Sequence, residues 1–308
     1  MAKIEQELPA DLLSVSGSKN QSKYVKNRLF NLFAISSALI LGLVLLSIIV
    51  FIGKTGLLVF KDVSPMEFFF SLKWDPDNAQ KFGAGVFIIG TVALTGLTLL
   101  LATPISLGLA VFTVEIAPEW LKRLMRPTLD LLVGIPSIVY GYLGLTILIP
   151  FIRQVTGSAV GNGLFAAALV LTIMVLPTIT RISDDALTAV PRELREASYA
   201  QGSTRFQTIF RVMLPAAREG IFTAIILGMA RSIGETMAVV MVIGGAAQLP
   251  PDLFTSTHVL TSYIVSFIVD VQTGSTYYNA LYMMAFLLLV ISTLMIVMIR
   301  KIRTKGVS

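Results

Sequence analysis

The chain has 308 residues, of which 55% are hydrophobic and 14% are charged, and its formal net charge is +6. Soluble domains have about 25% charged residues, so this composition excludes a soluble enzyme and indicates a membrane protein with several spans. The positive charge would also suit a nucleic-acid-binding protein, but basic loops on the cytoplasmic side of a membrane explain it more simply, and we expect no nucleic-acid partner.

Six stretches are apolar enough to cross a bilayer, which requires about 20 consecutive residues of mostly apolar character. They are Leu29–Ile52, Phe82–Val114, Leu131–Ile152, Gly163–Ile179, Gly220–Gly245 and Ala280–Ile299. Residues 1–28 precede them and are charged throughout with no apolar core, which predicts a cytoplasmic tail rather than a cleavable signal peptide. Because the number of spans is even, both termini are predicted to lie on the same side.

Lysine and arginine residues indicate which side that is. Eighteen of the 24 lie in the N-terminal tail, between spans two and three, in the loop between spans four and five, and at the C-terminal end, whereas five lie in the opposite loops. Cytoplasmic segments carry the excess of positive charge, so both termini are predicted to be cytoplasmic. The expected organisation is a tail (1–28), a first span with an external segment (29–81), a core of five spans (82–300) and a second tail (301–308).

Cysteine and histidine are almost missing from the chain. With no cysteine, the sequence has no disulfide framework and no cysteine zinc site, and a single histidine, His258, cannot form a histidine cluster. His258 falls in a predicted external loop, where we expect it to be solvated. We therefore expect no metal and no cofactor.

The third span contains the segment "GIPSIVYGYLG", which is rich in small residues. Glycines at 134, 141 and 144 allow close approach of a neighbouring helix, but they would equally suit the wall of a pore, and the sequence does not decide between the two. Ser137 and Tyr140 are the polar residues of this segment that we select as candidates for lining a pore.

The loop between spans four and five, residues 183–218, is too polar to span a membrane and too patterned for an irregular loop. Gly202 permits a left-handed end to a first short helix, and Thr204 with Gln207 forms a possible capping box for a second. The second helix is predicted to have an apolar face made of Phe206, Ile209, Phe210 and Met213. A helical hairpin of this kind suits docking into a groove of a partner protein.

This loop resembles the EAA loop of ABC importer permeases, written E-A-A-x3-G-x9-I-x-L-P. The residues at the defined positions of this pattern are Glu196, Ala197, Ser198, Gly202, Leu214 and Pro215. Ser198, and Val212 at the isoleucine position, depart conservatively from the pattern. In that family the loop docks on a separate cytoplasmic ATPase, so the resemblance implies that these residues couple the chain to an ATPase partner.

The order of the spans, together with "GIPSIVYGYLGL" and "RSIGETMAVVMVIGG", resembles the PstC-type permeases of bacterial phosphate importers over most of the chain. The resemblance implies an all-α subunit of the type I importer permease fold, with six spans, in the bacterial plasma membrane. It also implies four kinds of partner besides membrane lipid: a PstA-like permease, two copies of an ATPase, an external phosphate-binding protein, and phosphate itself.

The sequence has no nucleotide-binding loop of the form G-x-x-x-x-G-K-[ST]. The segment "IGKTG" at Ile52–Gly56 has Gly-Lys-Thr, but the first glycine of the motif would fall on Ile48. It also ends a span instead of joining a strand to a helix. We therefore predict that the chain is not an enzyme and that a partner hydrolyses ATP.

Arg231 and Glu235 are two charged residues in the fifth span, and four residues apart they are expected to share one helix face. Charges in a membrane are costly and usually functional. They could form a structural ion pair, relay protons in an ion-coupled secondary transporter, or bind an oxyanion. We favour the third interpretation, in which Arg231 donates to phosphate oxygens and Glu235 moderates its charge. Sulfate or molybdate is the alternative substrate, and an ion-coupled secondary transporter is the alternative class.

Overall fold

The computed structural model describes the backbone of residues 10–157 and 159–305, and the side chains of residues 24, 26–157 and 159–301. It divides the chain into two units, Met1–Lys54 and Thr55–Ser308. Within the described residues the regular structure is helical apart from one short β-hairpin, in agreement with the predicted class.

The helices and strands follow one another along the chain in three groups. The first group contains α1 (Ala10–Leu57), a 3-10 turn (Leu58–Lys61), α2 (Pro65–Phe70), and an antiparallel hairpin of β1 (Trp74–Asp75) and β2 (Lys81–Phe82). The second contains α3 (Gly85–Val111), a π turn (Phe112–Ile116), α4 (Glu119–Gly134), α5 (Ser137–Leu143), a second π turn (Gly144–Leu148), α6 (Ile149–Thr156) and α7 (Leu164–Thr188). The third contains α8 (Arg192–Ala200), α9 (Arg205–Thr208), a third π turn (Ile209–Met213), α10 (Leu214–Ala216), α11 (Arg218–Gly234), α12 (Met237–Val242), α13 (Leu260–Phe267) and α14 (Thr276–Lys305).

Five helical stretches in the described part of the chain are long and apolar enough to cross a membrane. They are Lys26–Lys61, Gly85–Ile116, Ser137–Thr156, Leu164–Thr188 and Thr276–Lys301. A sixth is obtained if Arg205–Ala216 and Arg218–Gly234, which are bent by 70°, are counted as one span. The chain is therefore a multi-pass helical membrane protein.

Two of the predicted spans are interrupted. The third was expected over Leu131–Ile152, but Ile135 and Pro136 have extended backbone, with ψ of 128° and 137°. Proline has no N–H to donate and disfavours the helical region for the residue before it, so the helix ends at Gly134. The fifth predicted span, Gly220–Gly245, is interrupted at Glu235, whose ψ is 125°.

The fourth predicted span, Gly163–Ile179, is shorter than the helix that the structure shows. It was expected to end at Ile179, whereas α7 continues to Thr188 and includes Arg181, Asp184 and Asp185. Asp184 is almost completely buried, and its carboxylate is bound by an arginine of α4. Because this charge is paired, the helix continues where hydropathy alone suggests a loop.

The aromatic cap joins the segment before α3 to α13 and α14, and we define it by Phe68, Trp74, Phe82, Tyr263 and Tyr277. The Trp74 indole Nε1 donates to the Tyr263 hydroxyl at 2.6 Å, and the hydroxyls of Tyr263 and Tyr277 lie 2.7 Å apart. Phe68, Trp74, Phe82 and Tyr263 are buried. The polar atoms of these rings are thus satisfied by one another within an apolar layer.

His258 was predicted to be solvated, and this prediction is wrong. Its residue exposure is 4%, its ring packs edge-on against Tyr263, and its Nδ1 lies 3.1 Å from the Ser262 hydroxyl. The loop folds back onto α3, where the Leu260 amide donates to the Thr91 hydroxyl at 3.0 Å. Burial lowers the pKa of His258 to about 4, because desolvation disfavours the charged imidazolium.

Candidate substrate pathway and docking hairpin

The docking hairpin, residues 192–216, forms as the sequence predicts. Gly202 has φ of +80°, a conformation that favours glycine, and it ends the turn after α8. The Thr204 hydroxyl accepts from the Gln207 amide at 3.3 Å, and the Gln207 side-chain oxygen accepts from the Thr204 amide at 2.9 Å. The predicted capping box at the start of α9 is therefore confirmed.

The residues that match the EAA pattern have different surroundings. Glu196, Ala197 and Gly202 are exposed on the outer side of the hairpin, and Pro215 is exposed at its end. Ser198 is buried instead, with its hydroxyl 3.0 Å from the Thr208 hydroxyl, and Leu214 is half-buried. Ser198 therefore holds α8 against α9.

The apolar face predicted for the second helix is only partly buried. Ile209 and Met213 lie in a buried cluster with Leu187, whereas Phe206 is 67% exposed and Phe210 is 54% exposed. Helix α9 changes to a π turn at Ile209, so the four predicted side chains do not keep one helical face. The two phenylalanine rings stack on each other at 4.4 Å between centroids.

Charged residues attach the inner side of the hairpin to the membrane-spanning helices, and the sequence interpretation missed them. Arg195 Nη1 donates to the Glu115 carboxylate at 2.7 Å, and Nη2 donates to the Leu187 carbonyl at 3.0 Å. Arg205 donates to the main-chain carbonyl of Glu115. The sequence separation of 80 residues between Glu115 and Arg195 leaves no local signal for the pair.

A second set of ion pairs joins α4 to α7. Arg126 holds Asp184 through two hydrogen bonds of 2.8 and 3.0 Å. Arg181 lies further from its three carboxylates, at 3.5 Å from Asp130 and 3.8 Å from both Asp184 and Asp185. This set makes no hydrogen bond to the hairpin in the described part of the chain.

Arg231 and Glu235 do not share a helix face, so that prediction is wrong. Arg231 is in the last turn of α11, and its Nη1 donates to the Thr178 hydroxyl at 3.0 Å. Glu235 lies beyond the helix end, and its carboxylate accepts from the Ala238 amide at 3.2 Å. No ion pair joins the two residues in the described part of the chain, which rules out the structural ion-pair interpretation.

Both charges lie at helix ends that favour their sign. Arg231 is near the C-terminus of α11, where the helix dipole is negative, and Glu235 is before the N-terminus of α12, where it is positive. Backbone dipoles therefore offset part of the cost of placing these charges in a membrane-spanning region. Because each charge is stabilised by its own helix end, Arg231 and Glu235 do not have to be paired with each other, and each can interact with a ligand separately.

The interrupted third and fifth spans meet just after their breaks. A Cβ on Gly141 would lie 2.9 Å from the Ala238 Cα, so this glycine is required for the close packing of α5 on α12. Tyr140 is buried, and its hydroxyl donates to the Leu132 carbonyl at 2.9 Å, which connects the two sides of the break. Ser137, the first residue of α5, is half-buried.

Two interrupted helices, one of them with Arg231 and Glu235 at its break, within a scaffold of five or six apolar helices are typical of membrane transport subunits. The chain matches the family model described as "Binding-protein-dependent transport system inner membrane component" over residues 102–305. It belongs to this family, and it is therefore a component of a transport system and not an enzyme.

Relatives and a solved structure agree with this family. The chain is 43% identical over 291 residues to the probable ABC transporter permease protein YqgH of Bacillus subtilis, which covers 94% of both proteins. It is 35% identical over 251 residues to the phosphate transport system permease protein PstC of Haemophilus influenzae, covering 75% of this chain and 79% of that protein. A bacterial ABC transporter involved in alginate import has the same fold, with a TM-score of 0.65 at 15% identity, covering 94% of this chain and all of that one.

Proposed function

We propose that this chain is the permease subunit of an ATP-driven importer of inorganic phosphate in the bacterial inner membrane. The observation that carries this proposal is the 35% identity to a PstC phosphate permease over three quarters of the chain. A permease for sulfate or molybdate is the alternative within the class. The docking hairpin argues against an ion-coupled secondary transporter, which has no use for an ATPase dock.

The proposed orientation places both termini in the cytoplasm and counts six spans, with the fifth over Gly220–Gly245, where α11 and α12 follow each other. The excess of lysine and arginine in the segments assigned to the cytoplasm supports it. We retain the division into a tail (1–28), a first span with an external segment (29–81), a core (82–300) and a second tail (301–308). Residues 1–9 and 306–308 of the two tails lie outside the described residues.

The docking hairpin is the proposed contact with the ATPase. Glu196, Ala197 and Gly202 are exposed on its outer side and are assigned to the contact, and Leu214 with Pro215 connects the hairpin to α11. One ATPase copy would bind here, and a second would bind the corresponding hairpin of a PstA-like permease. Ser198 contributes by holding the two helices of the hairpin together.

The external phosphate-binding protein is assigned to the opposite side, on the segments 54–81 and 246–278. A pocket of about 570 Å³ opens there, and Asp62, Gln80 and Tyr277 are among the residues that line it. Polar side chains around a surface depression suit a transient protein contact. Substrate released at this side would enter the pathway between the two permeases.

Arg231 is the proposed phosphate ligand. Arg231 as a residue is half-buried, and its single hydrogen bond to Thr178 leaves other N–H groups with no protein acceptor in the described part of the chain. A planar guanidinium matches the geometry of two phosphate oxygens. Glu235 moderates the positive charge so that the anion leaves as well as enters. Ser137 and Tyr140 at the break of the third span are assigned to the same pathway.

Anion uptake by the reconstituted complex tests this function. Wild-type complex should import phosphate and arsenate and exclude sulfate and molybdate. We expect Arg231→Ala to lower phosphate uptake at least about tenfold, and Arg231→Lys to retain an intermediate rate, because lysine keeps the charge but not the donor fork. Glu235→Gln keeps the acceptor for the Ala238 amide and removes the charge, so phosphate should bind longer and turn over more slowly.

The matched control is Arg153→Ala, which removes an exposed arginine at the other end of a membrane-spanning helix. Wild-type uptake in Arg231→Ala, at normal membrane abundance, would remove Arg231 from the pathway. Import of sulfate in preference to phosphate by the wild-type complex would overturn the assignment of phosphate as the substrate.

A further inference from the structure

Glu115 is the point where the docking hairpin is attached to the second membrane-spanning helix. It lies in the π turn that follows α3, and its side chain is only 7% exposed. Its carboxylate accepts from Arg195 of α8 at 2.7 Å, and its main-chain carbonyl accepts from Arg205 of α9. Both helices of the hairpin are therefore bonded to this one residue.

Arg195 connects the hairpin to a second span. While Nη1 binds Glu115, Nη2 donates to the carbonyl of Leu187 in the last turn of α7. The neighbouring residues Glu196 and Ala197 face outward on the same helix. Helix α8 therefore has an outer side for a partner and an inner side that is bonded to both α3 and α7.

A buried ion pair is a poor means of increasing stability, because desolvating both charges costs about as much as their attraction returns. It does fix geometry, since a guanidinium bound in two directions holds its neighbours at defined distances. Apolar contacts, by comparison, have no fixed direction, so one helix can shift along another without losing them. In the Glu115–Arg195 pair the carboxylate side chain is 7% exposed and the arginine side chain 22% exposed, so the pair suits transmission of movement better than it suits stabilisation.

We propose that the Glu115–Arg195 pair is the link through which movement of the docking hairpin is carried to α3 and α7. The two residues act as positioning residues, and neither contacts the substrate. This inference rests on the proposed function, because it requires an ATPase that moves the hairpin. Breaking the pair should therefore leave ATP hydrolysis in place and disconnect it from transport.

The experiment measures phosphate uptake and ATP hydrolysis in the same proteoliposomes, with the complete complex and phosphate-loaded binding protein. The variants are Glu115→Gln, Arg195→Lys, and the double reversal Glu115→Arg with Arg195→Glu. The matched control is Asp184→Asn, which removes the buried carboxylate of another arginine pair, between α4 and α7, with no hydrogen bond to the hairpin in the described residues. Each variant is compared at equal amounts of assembled complex.

We expect Glu115→Gln to lower the phosphate transported per ATP at least about tenfold. Arg195→Lys should lower it less, because lysine cannot bind Glu115 and the Leu187 carbonyl in the same two directions. The double reversal should recover part of the wild-type ratio of phosphate to ATP. Asp184→Asn should keep that ratio within about twofold of the wild type. The proposed link would be overturned if Glu115→Gln or Arg195→Lys transported as much phosphate per ATP as the wild type. It would also be overturned if Asp184→Asn lowered this ratio as much as Glu115→Gln does. A wild-type complex that imports no phosphate would overturn the proposed function instead.

Discussion

The aromatic cap and the docking hairpin are held together by different interactions. In the cap, the Trp74 ring contacts four other rings, with centroids 5.1 to 6.1 Å apart, and its indole N–H is bonded to a neutral hydroxyl. In the hairpin, Arg195 and Arg205 supply charged hydrogen bonds, while the rings of Phe206 and Phe210 remain exposed. The cap is held mainly by packed rings, whereas the hairpin combines a small buried apolar cluster around Ile209 and Met213 with a few charged, directional hydrogen bonds.

This difference follows from what each region has to do. Burial of apolar ring surface does not depend on the attraction between charges, and edge-to-face contacts fix the relative positions of the rings, so the packed cap preserves the shape of a surface. A few charged bonds hold a segment in position while leaving most of its surface available for a partner. We therefore expect changes in the cap to alter the free energy of unfolding, and changes in the hairpin to alter coupling.

The largest loss of stability is expected for Trp74→Ala in the cap. Truncating a buried tryptophan costs about 3–5 kcal/mol, because it removes apolar contact and leaves a cavity. The measurement is the free energy of unfolding in detergent micelles. Trp120→Ala is the control, since Trp120 is 69% exposed and its loss should change the value by less than about 0.5 kcal/mol. Equal losses in the two variants would contradict a packed cap.

A smaller effect is expected from pH, through His258, whose ring packs against Tyr263 of the cap. Its pKa in the folded protein is about 4, below its ordinary value of 6.5, so the folded state favours the neutral ring. Its contribution to stability is therefore complete above pH 6.5 and is lost as the pH falls toward 4. Thermal unfolding of a Trp120→Phe protein, followed by the fluorescence of Trp74, should show this loss between pH 6.5 and 4.

The control for this pH dependence is His258→Gln, which has no titrating ring and can still bond to Ser262. The loss of stability between pH 6.5 and 4 should be smaller in this variant than in the wild type. An unchanged pH dependence would show that other groups are responsible and that His258 is not buried as a neutral ring against the cap.

Features that depend on neighbouring residues were predictable from the sequence. The capping box of Thr204 and Gln207 and the left-handed Gly202 were both predicted, because each follows from residues close together in the chain. The Glu115–Arg195 pair was not, because long-range pairing leaves no pattern in a single sequence. Apolar residues continue on both sides of Glu235, so hydropathy gave no sign that the helix ends there.

The burial of His258 escaped prediction for a related reason. Its segment has the length and composition of an external loop, and the sequence does not reveal that this loop folds back onto α3. The bond that fixes it, from the Leu260 amide to the Thr91 hydroxyl, joins residues 169 positions apart. Burial of a polar residue through tertiary packing overrides what its local sequence suggests.

The smallest effect is expected for Thr204→Ala in the hairpin. Removing an N-cap threonine costs about 1 kcal/mol, because the Gln207 amide loses its acceptor. Hydrogen exchange should show faster opening of α9, with little change in the cap. Thr128→Ala is the control, because its exposed hydroxyl donates back to the Leu124 carbonyl inside α4 and caps no helix. If Thr204→Ala lowered the free energy of unfolding as much as Trp74→Ala does, the hairpin would support the fold as strongly as the cap. The proposed difference between a cap that stabilises the fold and a hairpin that couples it to a partner would then be wrong.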